Sequence, residues 1–577
     1  MDYTSATLAL MAILVATPVI AQDSFQNKKY ELDRIVTEIM RCADIHSLSL
    51  AIVSLDKSFL HVKGYGTYES SGKRQLDHTS TFCIGGATQA FTAVLLARLL
   101  EHNQNVTWNT PIQDILGRRI VLPEYYMSQH LNLKDILAMR SGLAGMDIVP
   151  VAKPYSAEKL VSNLRYTPRV AGFRDKFVYN EVLFSLINDV VKVLGGGSWH
   201  DLIKEHILTP LNMTSTIVLG PQYPTDRNFV KGHVYYNKTS FTLEKDNYSG
   251  LELVASAASL CTTAEDMYKW LLFLLNNGQT DNKVLIRKDA LEATYMAIQS
   301  RGLDGDPVTQ GYRQPQIPVS YSRDYNSLGW INGYYRGYSF VSQDGSIPGY
   351  QSLTTVLPSS KLAVYIAFTG DPDGKRFAAK VLLNILGIDT FLESKSFFNL
   401  SSACSVLDRL YMTTLKRDDR FKDIRRTGNS PPQALEDYAG LFKNYAYGDV
   451  HVKFNDTGDN ALTLQYGIAL YRLEPTNKEN TFQLFVQGRI LNYITNAEWY
   501  KDNQRTFAEF SSDSENDDQK FNTVAIHGFD KHHVPEFKIN ARPPHYDDSA
   551  DYSRCSASIL VAWQWSILFL CSLVCIR

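Results

Sequence analysis

Hydrophobic positions recur every three to four residues along several stretches of the chain, and each such stretch predicts a helix with one buried face. Leu32, Ile35, Val36 and Ile39 form this stripe within Glu31–Arg41. A second begins at Phe91 and continues through Val94, Leu95 and Leu99, which puts residues 86–89 at a helix N-terminus. Val182–Leu194 reads as a long helix stopped by Gly195-Gly196-Gly197, and a further helical stretch lies near Cys404–Leu415. Leu48–Leu55 and Phe59–Tyr65 are short strand-like runs around an Asp56-Lys57 turn. The charged, breaker-containing segment Lys416–Gln433, with Pro431-Pro432, reads as a linker. Beyond it the period changes to two. Val450, Val452 and Phe454, then Leu462 and Leu464, then Phe482, Leu484 and Val486, and later Val524 and Ile526, alternate with polar neighbours. This pattern predicts an antiparallel sheet or small barrel over 434–540, with Ser511–Lys520 as a solvated acidic loop.

At 577 residues the chain is longer than one hydrophobic core usually organises, so two or more domains are expected. Its 44% hydrophobic and 20% charged residues and formal net charge of -2 describe ordinary globular protein and give no sign of nucleic-acid binding. The two ends differ from the rest. Leu8–Ile20 is an apolar run that closes on Val19-Ile20-Ala21, so residues 1–21 read as a signal peptide, although Met1-Asp2-Tyr3 lacks a basic residue and an uncleaved anchor is the alternative. Ile559–Ile576 is a second hydrophobic run, which as a helix would span roughly 27 Å. Only Arg577 follows it, whereas small residues at Asp548-Ser549-Ala550 and a short polar spacer precede it. That order fits a glycosylphosphatidylinositol (GPI) signal with Asp548 or Ser549 as attachment site, and a single spanning helix is the alternative. Six N-x-[ST] sequons, at Asn105, Asn212, Asn237, Asn247, Asn399 and Asn455, agree with secretory passage and N-glycosylation. The expected location is the outer face of the cell surface, membrane-anchored through the C-terminus. Of seven cysteines, Cys42, Cys83, Cys261 and Cys404 lie outside the tail; their spacing fits no zinc motif, and as disulfides they allow three connectivities.

The segment Phe82-Cys83-Ile84-Gly85-Gly86-Ala87-Thr88-Gln89-Ala90-Phe91-Thr92-Ala93 resembles the motif F-x-I-G-S-x-[ST]-K-x-F-T-A of the serine β-lactamase and penicillin-binding protein superfamily, which includes class C β-lactamases, D-alanyl-D-alanine peptidases and related esterases. Gly86 stands where the family has its nucleophilic serine and Gln89 where it has the lysine. A hydroxyl needs a neighbouring base one helical turn away to become nucleophilic. Gly86 has no side chain, and an amide at 89 neither takes a proton at neutral pH nor supplies a cation.

Further landmarks follow in the family's order. Leu131-Asn132-Leu133-Lys134-Asp135-Ile136-Leu137 and Ser141-Gly142-Leu143 match the helix and turn after the first motif, with Met139 in place of histidine. Tyr179-Asn180-Glu181 is similar to Y-x-N, with an acceptor-only anion at 181 instead of an amide. Gln343-Asp344-Gly345 is similar to H-x-G or K-T-G, with Gly345 kept and the cation lost. The resemblance covers roughly 28–395. It implies an α/β (α+β) β-lactamase-like sandwich over 28–415, an antiparallel sheet with an inserted helical subdomain, followed by a C-terminal antiparallel β-barrel-like domain. Tyr438-Ala439-Gly440-Leu441-Phe442 resembles the start of the barrel that some members append. No metal or other cofactor is implied.

Four substitutions in the catalytic set point to an inactive scaffold that uses the old cleft, or the barrel, to bind an extracellular ligand or protein partner. The alternative is an esterase or peptidase with a rebuilt site, using Thr88 or Ser141 as hydroxyl and Tyr179 or Glu181 as base. The resemblance also implies disulfides between Cys42 and Cys404 and between Cys83 and Cys261, because the first and last helices of the family's α/β domain pack together and the other two cysteines flank its cleft.

Overall fold

A computed structural model describes residues 27–543 apart from short internal stretches, the longest being 303–318 and 488–505. The signal peptide, the hydrophobic tail, Asp548, Ser549 and Asn237 lie outside the described residues. Among the described residues no helix is long and apolar enough to cross a membrane.

The centre of the first domain is an eight-stranded sheet. Its strands are β1 (Ser47–Ser54), β2 (Leu60–Gly66), β3 (Gln299–Ser300), β4 (Tyr321–Asn326), β5 (Ile331–Tyr335), β6 (Tyr338–Ile347), β7 (Tyr350–Leu357) and β8 (Leu362–Thr369), in spatial order β3-β4-β5-β6-β7-β8-β1-β2 and antiparallel throughout. Successive side chains of a strand point to opposite faces. Leu48, Leu50 and Ile52 therefore enter one core with Leu362, Val364, Ile366 and Phe368, while Ala51 and Val53 enter a second with Ala363, Tyr365 and Ala367. Both faces are covered, which is why β1, β7 and β8 are buried along their whole length.

Three helices cover the first face: α1 (27–43), carrying the Leu32/Ile35/Val36/Ile39 stripe, α5 (Gly374–Phe391) and α6 (Ala403–Thr414). On the second face α2 (Thr88–His102) and α4 (Ala264–Leu275) meet, with Phe91 stacked on Trp270 at 3.9 Å between ring centres. The helical subdomain fills the chain between them and includes α3 (Phe184–Gly195), closed by Gly196 in the left-handed conformation that glycine adopts without strain. The helix starts at Phe184, two residues beyond the expected Val182, and the turn before it is tied by the Leu183 amide, which donates to Asn180 Oδ1 at 3.1 Å.

The C-terminal domain is a closed barrel of eight antiparallel strands. They are β9 (Gly440–Asn444), β10 (Gly448–Asn455), β11 (Ala461–Tyr466), β12 (Ala469–Pro475), β13 (Thr481–Gln487), β14 (Phe507–Ser511), β15 (Thr523–His527) and β16 (Glu536–Lys538). Closure leaves no free edge, and the interior is aromatic: Tyr438 stacks on Phe521 at 4.4 Å and stands edge-on to Phe482 and Phe510. The expected linker 416–433 is in part a strap on the barrel. The Arg425 amide donates to Asn477 Oδ1 at 2.6 Å, the Thr427 amide to the Pro475 carbonyl at 3.1 Å, and Arg426 pairs with Glu474 at 2.8 Å. Arg426 thus belongs to the barrel surface, which composition alone does not reveal.

The barrel is docked on the helical subdomain, and their buried apolar residues form one continuous cluster. The Ile468 amide donates to the Ala152 carbonyl at 2.8 Å and the Tyr155 hydroxyl to the Ala446 carbonyl at 2.6 Å. Asp530 pins the contact: its carboxylate accepts from the amides of Met146 (2.7 Å), His532 (2.8 Å) and His533 (3.1 Å) and from the Tyr447 hydroxyl (2.9 Å). The structure joins Cys42 to Cys404 and Cys83 to Cys261, with Cα atoms 5.5 and 3.7 Å apart, the pairing that the resemblance implied. Of the sequon asparagines, Asn105, Asn212, Asn399 and Asn455 are exposed.

Candidate functional site

The first turn of α2 is held from two sides. A small sheet of Phe82–Cys83, Leu260–Thr262 and Ile217–Val218 lies beneath it, with Cys83 opposite Cys261 in register. The Ile84 amide donates to the Leu260 carbonyl at 2.9 Å, and the Ser352 hydroxyl of β7 to the Ile84 carbonyl at 2.7 Å. Strand β6 then passes so close that a Cβ at Gly345 would collide with the Ile84 carbonyl oxygen, so this position accepts only glycine. A Cβ placed on Gly86 would lie 3.0 Å from the Asp344 carbonyl oxygen and 3.7 Å from the Tyr179 hydroxyl. The position of the lost serine therefore still faces the retained tyrosine.

The six motif positions line one cleft of about 240 Å³. Gln343 and Gly345 come from β6, Tyr179 and Glu181 from the segment before α3, and a Cβ on Gly86 would lie within 4 Å of both Gly345 and Tyr179. Two amides replace the family's ammonium and third-motif cation: Gln343 Nε2 donates to Gln89 Oε1 at 3.1 Å and to the Gly86 carbonyl at 3.3 Å. Gln89 Oε1 is thereby used, whereas Gln89 Nε2 is buried and has no hydrogen-bond partner of good geometry. Such an orphaned donor costs about 1–3 kcal/mol.

Tyr179 is 36% exposed yet crowded on most sides by the cleft walls. Its hydroxyl donates to Glu181 Oε1. Burial, then the Glu181 charge, pushes the phenol well above its ordinary value, so it stays a donor rather than becoming a base. Burial also raises the Glu181 carboxyl, against the opposing effect of the Tyr179 hydrogen bond. Asn180, between them, turns inward, donating to the Ala144 carbonyl at 2.6 Å. The amide that might have replaced the family's asparagine thus serves the architecture.

The hydroxyls of the rebuilt-enzyme alternative are elsewhere. Thr88 Oγ1 is buried and accepts from the Leu260 amide at 3.1 Å, on the side of α2 away from the cleft; Ser141 is buried and accepts from the Leu143 amide at 3.2 Å. Neither lines the cleft. Ser346 does, with its Oγ accepting from Gln351 Nε2 at 2.8 Å.

The sequence reading missed Asp147, Arg301, Lys531 and His532, all of which line the same cleft. The last two come from the barrel, on the loop that Asp530 pins, and the Lys531 amide donates to Asp147 Oδ2 at 3.2 Å. Crowding by the walls, and next the Asp530 charge, pushes the Asp147 carboxyl up to about 7, even though solvent reaches it through the cleft mouth. Burial lowers His532, leaving its imidazole mostly neutral at pH 7. Asp344 behaves oppositely: burial opposes its ionisation, but Arg323 at 2.5 Å and Lys380 at 3.6 Å outweigh this and hold it well below the usual carboxylate range. The clustered Lys531-His532-His533 was the available signal, but nothing in the periodicity connects it with residue 147.

The Beta-lactamase family model matches residues 32–386. The chain is 23% identical over 461 residues to Unguisins hydrolase ungD of Aspergillus violaceofuscus, covering 75% of this chain and 77% of that one. It is 23% identical over 233 residues to Gigasin-6 of Magallana gigas, covering 39% and 76%. Among solved structures, the D-amino acid amidase from Ochrobactrum anthropi complexed with L-phenylalanine amide superposes with a TM-score of 0.51 at 16% identity, over 63% of this chain and 100% of that one. A crystal structure of SurE gives a TM-score of 0.50 at 14% identity, over 89% and 100%. With the family model spanning most of the chain and both domains matched in fold, this protein belongs to the beta-lactamase family.

Proposed function

We propose that this protein is a non-catalytic member of its hydrolase family, a glycosylated cell-surface protein whose cleft binds a ligand. The observation that carries the reading is the floor of the cleft, where Gly86 faces Tyr179 with no nucleophile between them and two glutamines stand where two cations would. Removing a nucleophile of this type costs on the order of a millionfold in turnover. The exposed sequons, and the two disulfides typical of an oxidising compartment, support passage through the secretory pathway. The purified protein should form no covalent adduct with a fluorescent penicillin or a fluorophosphonate. Labelling that vanishes on substituting one hydroxyl residue would sink this reading. Release from expressing cells by phosphatidylinositol-specific phospholipase C tests the anchor; retention, with the peptide containing Trp563 and Trp565 intact, would favour a spanning helix.

The relatives named hydrolases favour a second reading, a rebuilt hydrolase. Its nucleophile would have to be Ser346 or Tyr179, the hydroxyls at the cleft among the described residues. Tyr179 is held protonated, and Ser346 lacks a neighbouring base among its hydrogen-bond partners.

A further inference from the structure

Glu181 and Asp147 both line the cleft, and the Glu181 charge acts on Asp147. Glu181 takes a hydrogen bond from Tyr179; Asp147 takes one from the Lys531 amide, and the Lys531 charge offsets the repulsion from Asp530 and Glu181 only in part. Asp344 is different, since Arg323 and Lys380 already neutralise it. Arg301 is directed at the wall, its guanidinium 4.5 Å above the Phe177 ring and donating to Asn326 Oδ1 at 2.7 Å.

An independent feature points into the same space. Gln89 is 2% exposed, and its Nε2 makes no hydrogen bond of good geometry, although the side chain acts on the neighbouring Tyr179 hydroxyl. Its orientation follows from the hydrogen bond that Oε1 takes from Gln343. Around these polar groups the lining is apolar, with Leu137, Met139, Ile148, Val151, Leu251 and Trp330. A cavity of about 240 Å³ suits one ring or branched chain with a short polar end.

We propose that the cleft takes a compact apolar ligand whose ammonium group sits against Glu181 and Asp147 and whose adjacent hydroxyl or carbonyl oxygen accepts from Gln89 Nε2. This deepens the non-catalytic reading and rests on it. The same substitutions that removed the chemistry, Gln89 for a cation and Glu181 for an amide, invert the charge the site prefers. A carboxylate would meet two acidic groups and none of the family's cations, whereas an ammonium would draw both carboxyls into their charged form and gain charge-assisted hydrogen bonds in a site partly shielded from water.

Isothermal titration of the full chain with phenylalaninol, which carries a ring, an ammonium and a hydroxyl but no cleavable bond, tests this against 3-phenylpropanoate of matched size. Phenylalaninol should bind at least about tenfold tighter than the carboxylate. Glu181→Gln should weaken it about tenfold, and Gln89→Leu about three- to tenfold, since one neutral hydrogen bond is lost. Asp147→Asn provides a second charge-removing variant should Glu181→Gln fail to fold, and it should weaken the amine without strengthening it in any buffer. Tighter binding of 3-phenylpropanoate, amine affinity unchanged in the folded charge variants, or no binding of the amine at millimolar concentration would each overturn the proposal while leaving the non-catalytic reading intact. Covalent labelling by a fluorophosphonate would overturn that reading instead, whatever the titration shows.

Discussion

Two carboxylates on the same connecting region of the helical subdomain, Asp135 and Asp147, have opposite surroundings. Asp135 is fully buried and fully answered: it accepts from the Asn132 amide at 3.1 Å, from Arg140 Nε at 2.8 Å, and from Arg174 Nε and Nη2 at 2.9 and 2.8 Å. Asp147 is reached by solvent, accepts one amide, and feels the carboxylates of Asp530 and Glu181, which the Lys531 charge offsets only in part. The difference separates architecture from site. A charge whose partners come from the protein organises loops, whereas a charge left beside its own kind keeps interaction energy available for something that arrives later.

The largest effect is expected from removing the answered charge. Asp135→Ala would leave Arg140 and Arg174 without their shared anion and delete the reciprocal cap with Asn132. Breaking such a buried pair costs about 3–5 kcal/mol. Chemical denaturation should show a midpoint shift of that order, and a change below about 1 kcal/mol would mean that Asp135 is not the organising group claimed here.

The two disulfides extend the comparison from charges to covalent ties. Cys83 and Cys261 are fully buried beneath the cleft floor, whereas Cys42 and Cys404 are half-buried near Glu38 and Arg41 on the opposite face of the sheet. Replacing Cys83 and Cys261 together by alanine should cost about 2–4 kcal/mol, read by the same denaturation. Under limiting reductant, peptide mapping should show Cys42–Cys404 opening first, because exchange requires access for the attacking thiolate. Equal rates would contradict the burial difference on which the prediction rests.

Much of the fold was legible because its cues are local. Leu32, Ile35, Val36 and Ile39 share a helix face, and Val450, Val452 and Phe454 alternate, whatever the rest of the chain does. The six motif positions were legible through order and spacing, and the structure brings all of them to one cleft. Asp147, Lys531 and His532 were not. They lie on irregular segments without periodicity, and the contact that unites them depends on how the barrel docks, which Asp530 decides through bonds to Met146 and Tyr447. The barrel contacts of residues 425–427 were hidden for a similar reason: Arg425, Arg426 and Thr427 are polar and flanked by breakers, yet the backbone groups of β12 and the turn beyond it find partners there.

The smallest effect expected is also the one most specific to the unanswered charge. The folded-state value of Asp147, near 7, lies above the ordinary value of about 3.9 for an unfolded aspartate. An acid raised on folding favours the native state while protonated, so its contribution is full below the unfolded value and is lost as pH rises through about 7. Solvent at the cleft mouth screens the charge, and the net effect should therefore be no more than about 1 kcal/mol. Asp147→Asn removes this loss. Its melting temperature should exceed that of the unsubstituted protein at pH 8, and the advantage should shrink toward pH 5, where Asp147 is protonated in the native state. Glu181, whose carboxyl burial also raises, acts on Asp147 as well, so the difference between the two proteins, rather than either curve alone, isolates Asp147. A gain that is the same at both pH values would assign the stabilisation to packing, and Asp147 would then belong with Asp135 as part of the architecture.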